Sequence, residues 1–141
     1  MVGKEYEKII LSYLSTSYPT TKLIPNPQSR GADLISPNYW LQVEVKFDRR
    51  MEDTGNVFIE FEFKGTPSWI FKYPYLSLFA YGNNRYFYLF NANKLRKKIT
   101  QFIKEGKYRI VGGWDWWYAK GILIPEADLL QNAIASRKFY L

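Results

Sequence analysis

Leu41, Val43, Val45 and Phe47 alternate with Gln42, Glu44, Lys46 and Asp48. A period of two marks a strand with one dry and one wet face, so the spacing predicts a strand over Tyr39–Asp48. Asn56–Lys64 alternates in the same way, with Val57, Ile59, Phe61 and Phe63 set against Phe58, Glu60, Glu62 and Lys64. Glu5–Ser17 follows a different rhythm. Ile10, Leu11 and Leu14 recur at helical spacing beside Tyr6 and Tyr13, and Pro19 ends the run. Asn93–Glu105 repeats that pattern with Leu95, Ile99, Phe102 and Ile103, and Gly106 stops it. Shorter strands are expected at Thr21–Pro25 and Ala32–Ser36. A hairpin of Leu76–Tyr81 and Arg85–Asn91 should turn at Gly82-Asn83-Asn84. Trp69–Tyr75 reads as a loop or short helix, Trp114–Ile124 as a strand and Glu126–Ala135 as a last helix. The order predicts an α/β or α+β chain: a single domain over residues 1–141 with one central mixed sheet flanked by helices.

Composition narrows the chemistry. The 141 residues include no histidine and no cysteine. Disulfides, zinc fingers, thiolate or imidazole metal sites and any His-dependent triad are therefore excluded. Carboxylates, lysine, hydroxyls, backbone groups and an oxygen-loving cation remain. An apolar share of 47% with 19% aromatics fits a globular chain. The first eight residues are too charged for a signal peptide. No window approaches 18 uncharged apolar residues, so the expectation is a cytoplasmic protein with no membrane partner. The net charge of +7 suggests a polyanion weakly.

Asp33 follows Gly31-Ala32 and opens the apolar pair Leu34-Ile35. Eleven residues later comes Glu44-Val45-Lys46. A turn at Pro37-Asn38 would make these adjacent strands, with Asp33 beside Glu44 and with Lys46 on the Glu44 face. Two close carboxylates repel unless a cation joins them, and Mg²⁺ or Mn²⁺ suits two carboxylates plus water and phosphate oxygens. The Val45 carbonyl is a further candidate ligand, and Lys46 is placed to hold an attacking water. Glu7 shares the apolar helix face with Leu11 and Leu14 and can look toward this site from its edge.

A helical glutamate, then Gly-x-Asp on a strand, then Glu-x-Lys on the next strand resembles the PD-(D/E)XK nuclease superfamily. Within it the chain is most similar to small archaeal and viral nucleases of the Holliday-junction-resolvase type. The resemblance runs from Glu7 to about Lys46, and Ala32 stands where the family pattern has proline before the aspartate. It implies a restriction-endonuclease-like core and a Mg²⁺-dependent deoxyribonuclease, with Asp33 and Glu44 as metal ligands. Lys46 would be the catalytic lysine, and Glu7 an outer ligand reached through water. DNA is the implied partner, and a junction resolvase would work as a homodimer.

Rival readings stand beside it. Asp53 with Glu62-Phe63-Lys64 repeats the acid–Glu-x-Lys order on another alternating strand, though Asp53 lies in a polar turn. Solvated polar faces with paired Glu and Lys are the plain alternative for both sets. A non-catalytic nucleic-acid-binding or assembly protein of the same fold is the functional alternative. Candidate phosphate contacts are Lys22, Arg30, Arg49, Arg50 and Ser68; Trp69 could stack on an unpaired base or simply be core. Lys94, Arg96, Lys97, Lys98, Lys104, Lys107 and Arg109 concentrate charge around one helix, as a phosphate-tracking stripe or as a solvated face. Trp114, Trp116, Trp117 and Tyr118 could stack on bases, form a dimer patch or be buried.

Overall fold

The computed structural model describes residues 3–28, 31–112 and 119–141. Arg30 and the run Trp114–Tyr118 lie outside the described residues. The elements follow as α1 (Gly3–Ser17), β1 (Ile24–Pro25), β2 (Leu34–Ile35), β3 (Gln42–Phe47), α2 (Met51–Thr54), β4 (Asn56–Phe63) and β5 (Thr66–Pro67). Then come α3 (Trp69–Lys72), β6 (Leu78–Gly82), β7 (Tyr86–Asn91), α4 (Ala92–Glu105), β8 (Ile110–Gly112), β9 (Ala119–Pro125), α5 (Glu126–Gln131) and β10 (Arg137–Tyr140). The fold is mixed α/β. No helix among the described residues is long and apolar enough to cross a membrane.

A six-stranded mixed sheet runs β1-β2-β3-β6-β7-β10, with β3 and β6 parallel and the other neighbours antiparallel. The single central sheet expected from the sequence is corrected here. β4 and β9 leave it to form a second, four-stranded sheet, β5-β4-β9-β8. Strand composition accounts for the division. β6 is buried at every position and β7 at Phe87–Phe90, as strands covered on both faces must be. They take the centre. β4 alternates buried Val57 and Ile59 with half-buried Phe58 and Glu60, which suits a sheet with one wetter face.

Alternation divides the core in two. Leu78, Ala80, Val43 and Val45 face α1, where they meet Tyr6, Ile10 and Leu14. Phe79, Tyr81, Tyr88 and Phe90 face the other way, toward α4 (Leu95, Ile99, Phe102) and the inner residues of the second sheet, Val57, Ile59, Ile122 and Ile124. Glu44 and Lys46 alternate with Val43 and Val45, so they leave β3 on this second side.

Local signals set several boundaries. The Asn91 side chain accepts from Lys94 N at 3.0 Å to cap α4, and Gly106 ends it at φ +64°. Gly82 is required by contact: a Cβ there would lie 2.3 Å from the Tyr86 carbonyl oxygen across the β6–β7 hairpin. The polar turn expected at Glu52–Gly55 is instead one turn of helix, α2, closed by Gly55 at φ +70°. α5 ends at Gln131 rather than Ala135. Ala133 adopts φ +55°, and the chain reverses so that Arg137–Tyr140 can pair with β7.

Candidate active site

Two-residue β2 pairs with β3 in the register Leu34↔Val43 and Ile35↔Gln42. One further step sets Asp33 across from Glu44. There the ladder hands over to a side chain, because Val45 N donates to Asp33 Oδ2 at 2.8 Å. That bond holds one carboxylate oxygen on the strand edge and aims the other toward Glu44. In an extended strand a residue's N–H and C=O point to the same edge, so the Val45 carbonyl also faces this side, beyond the last pair of β2.

Glu44 is 8% exposed. Burial pushes its carboxyl up to about 8; the Lys46 ammonium opposes the rise, while the Asp33 charge and a hydrogen bond to Asp33 add to it. Lys46 Nζ stands 3.4 Å from Glu44 Oε2. Glu7 points in from α1, half-buried, 3.6 Å from Lys4 Nζ. Its carboxyl is raised chiefly by desolvation and then by Asp33, with Lys4 and Lys46 opposing. Three carboxyl groups and two lysines, Lys4 and Lys46, therefore share a single local field. Glu5, one residue pair earlier on α1, is exposed.

The arrangement fits a divalent cation. Burial raises the pKa of the Glu44 carboxyl beside Asp33, and a cation between the two groups would favour their ionised forms. Among the described residues no group of three or more acidic side chains is arranged to hold a metal ion. Asp33 and Glu44, with the Val45 carbonyl, form a two-carboxylate set of the kind Mg²⁺ accepts while retaining water.

The second acid–Glu-x-Lys set is not brought together. Asp53 is exposed on α2, before β4 begins, and Glu62 lies six residues beyond Asn56, roughly 20 Å along the strand. A register shift between Glu60 and Glu62 breaks the alternation. Lys64 falls past the strand end in a turn at φ +51°. Glu62 pairs instead with Lys120 across the sheet at 3.5 Å, both partly exposed.

The surrounding candidates divide. Ser68 is buried and donates to Glu60 Oε2 at 3.0 Å, so its hydroxyl serves the protein rather than standing ready for phosphate. Trp69 is 9% exposed and packs on Phe79, with ring centroids 4.3 Å apart. It is core, yet its ring lies 5.9 Å from Lys46 Nζ. Arg49 and Arg50 are exposed just after β3, and Lys22 is exposed in a turn at φ +52° between α1 and β1. Arg96 leaves the basic stripe: its guanidinium donates to the carbonyls of Ile70 (2.6 Å), Tyr73 (2.7 Å) and Leu76 (3.3 Å), and burial lowers its pKa. It ties α4 to the segment after α3. The rest of α4 lies on the sheet face that carries Glu44 and Lys46.

Three residues near the site are not among the sequence candidates. Tyr75, 46% exposed, has its hydroxyl 3.6 Å from where a Cβ on Gly31 would stand, and its pKa is raised first by desolvation, then by Tyr73 and Glu44. Asp48 accepts a short hydrogen bond from Tyr81, whose oxygen in turn accepts from Phe58 N at 3.2 Å. Glu60 joins them across a cleft described below. Tyr75 and Glu60 arrive through contacts between distant segments, which no local spacing encodes, whereas Asp48 continues the polar alternation of Glu44 and Lys46 and only its Tyr81 partner is distant. No family model, no curated protein and no solved structure matches the chain.

Proposed function

We propose that the protein is a divalent-cation-dependent deoxyribonuclease with a restriction-endonuclease-like core of the PD-(D/E)XK type. One observation carries the reading: the β2–β3 register sets Asp33 against a nine-tenths-buried Glu44, with Lys46 Nζ 3.4 Å away. Burying one acid beside another costs stability, and strongly perturbed carboxyl groups cluster at functional sites.

Asp33, Glu44 and the Val45 carbonyl would hold Mg²⁺ or Mn²⁺. A bound divalent cation polarises a phosphodiester and lowers the pKa of an attacking water. Val45 N fixes the Asp33 carboxylate so that it does not swing away. Lys46 orients the water and stabilises charge developing on the phosphate. Glu7 stands behind Asp33 as an outer acceptor for water. The basic face of α4, less Arg96, supplies positive potential on the same side of the sheet. A Holliday-junction resolvase, acting as a homodimer, is one form of this activity, and a viral DNA-processing nuclease is another.

The test is cleavage of plasmid and synthetic DNA with Mg²⁺ or Mn²⁺ by the wild type and by Asp33→Ala. Loss of cleavage in the variant supports the assignment, and undiminished cleavage sinks it. Calorimetric titration with Mn²⁺ separates the rival. Cation binding that Glu44→Gln removes supports the nuclease, whereas no carboxylate-dependent binding points to a non-catalytic DNA-binding protein.

A further inference from the structure

Beside the acidic pair lies a cleft of about 540 Å³, between the six-stranded sheet and the second sheet. Lys46 belongs to both places. Its ammonium contacts Glu44, and its side chain lines the cleft. The volume lies in the range of small-molecule sites. It is ample for one or two nucleosides and far too narrow for a duplex, whose major groove alone is about 12 Å wide.

The lining matches a nucleobase. Phe58 supplies a half-buried aromatic ring and Leu123 an apolar patch, over a floor of buried Trp69 and Phe79. Asp48, Asn56, Glu60 and Tyr81 supply polar groups at the wall. Lys46 and Arg50 place two cations on the same lining. Phe58 is held in place from behind. A Cβ on Gly121 would fall 2.4 Å from its ring, so only glycine on β9 lets that ring lie against the sheet. Its backbone N–H is fixed by the Tyr81 hydroxyl, which Asp48 orients in turn. An aromatic face, a few fixed polar groups and flanking cations are what base stacking and phosphate binding together require.

We infer that this cleft receives an unpaired nucleobase adjoining the phosphate held at Asp33 and Glu44, so that the substrate is single-stranded or locally unpaired DNA. The inference rests on the nuclease reading for the position of the phosphate. Strand ends, flaps and branch points meet the requirement, because their bases leave the stack at little cost. A continuous duplex does not meet it, since each base would first have to be unpaired.

The experiment compares anisotropy of a labelled single strand of about 12 nucleotides with its blunt duplex, with Ca²⁺ in place of Mg²⁺ so that the acidic pair keeps an oxygen-bound cation. The wild type should bind the single strand at least about fivefold more tightly. Phe58→Leu keeps apolar bulk and removes the aromatic face. It should weaken single-strand binding roughly 5- to 100-fold and leave duplex binding within about twofold. Thermal unfolding of the variant checks its fold. The wild type offers a second readout that needs no variant: 2-aminopurine placed at successive positions should be quenched at one position. Equal affinity for duplex and single strand, unchanged binding by a folded Phe58→Leu, or no quenching at any position would each overturn the inference. Failure of the nuclease reading is recognised separately, because it appears as undiminished cleavage by Asp33→Ala while these binding results stand.

Discussion

Two strands in this protein carry the same three-residue pattern, and they do opposite things with it. Glu44-Val45-Lys46 lies on β3, where β2 delivers a second carboxylate and burial leaves Glu44 8% exposed. Glu62-Phe63-Lys64 lies at the end of β4, where a register shift and a turn scatter the residues, and Glu62 settles for an ion pair with Lys120. The first arrangement sets two carboxyl groups together and removes water from Glu44. The second is an exposed pair of the kind worth at most about 1 kcal/mol. The contrast lies in the surroundings rather than in the motif: a buried carboxyl beside a second acid on β3, a partly exposed ion pair on β4.

The comparison can be broken at its strongest point first. Glu44→Ala should lower Mg²⁺-dependent cleavage at least about 100-fold, beyond the loss typical of outer partners of a metal site. Glu62→Ala should stay within about twofold in the same gel assay. The opposite outcome would move the active site to β4.

Lys46→Ala is expected to reduce the cleavage rate roughly 100-fold or more, while Lys64→Ala does not. A second readout separates chemistry from structure. Lys46 holds the Glu44 pKa down, so its removal should shift the acidic limb of the pH–rate profile upward.

Stability gives a smaller, signed effect. Glu44 has a folded pKa of about 8, raised from 4.5, so its contribution is fully present below 4.5 and is lost as pH rises through about 8. Glu44→Gln escapes that loss. In EDTA it should match the wild type near pH 4 and melt roughly 3–10 °C higher near pH 9. A gap that stays constant across pH would show that Glu44 does not titrate in this way. Smallest of all, Lys120→Ala should change stability by no more than about 0.5 kcal/mol in urea unfolding, since it only unpairs an exposed Glu62.

Much of the site could be read locally. Helical spacing set Glu7 rather than Glu5 on the inward face of α1, and the structure places Glu7 in the field of Asp33. Alternation put Glu44 and Lys46 on one side of β3, opposite Val43 and Val45. Arg96 was not legible in this way. At its place in the sequence it is one cation among seven, yet three carbonyls from residues 70–76 claim it. Ser68 was likewise read as a phosphate contact, while Glu60 from the neighbouring strand holds its hydroxyl.

By itself, the sequence determined what is local or compositional. The absence of histidine and cysteine leaves carboxylates, lysine, hydroxyls, backbone groups and an oxygen-loving cation for any chemistry, and period two and period 3.6 lay out the long strands and helices. Tertiary structure alone decided which Glu-x-Lys is buried, that β4 and β9 form a sheet of their own, and on which side α4 packs. It also assembled a cleft from residues 46 to 123. The reason is range. Side-chain periodicity repeats within a few residues and leaves its mark on the chain, whereas register, burial and the electrostatic field at Glu44 are set by partners many residues away.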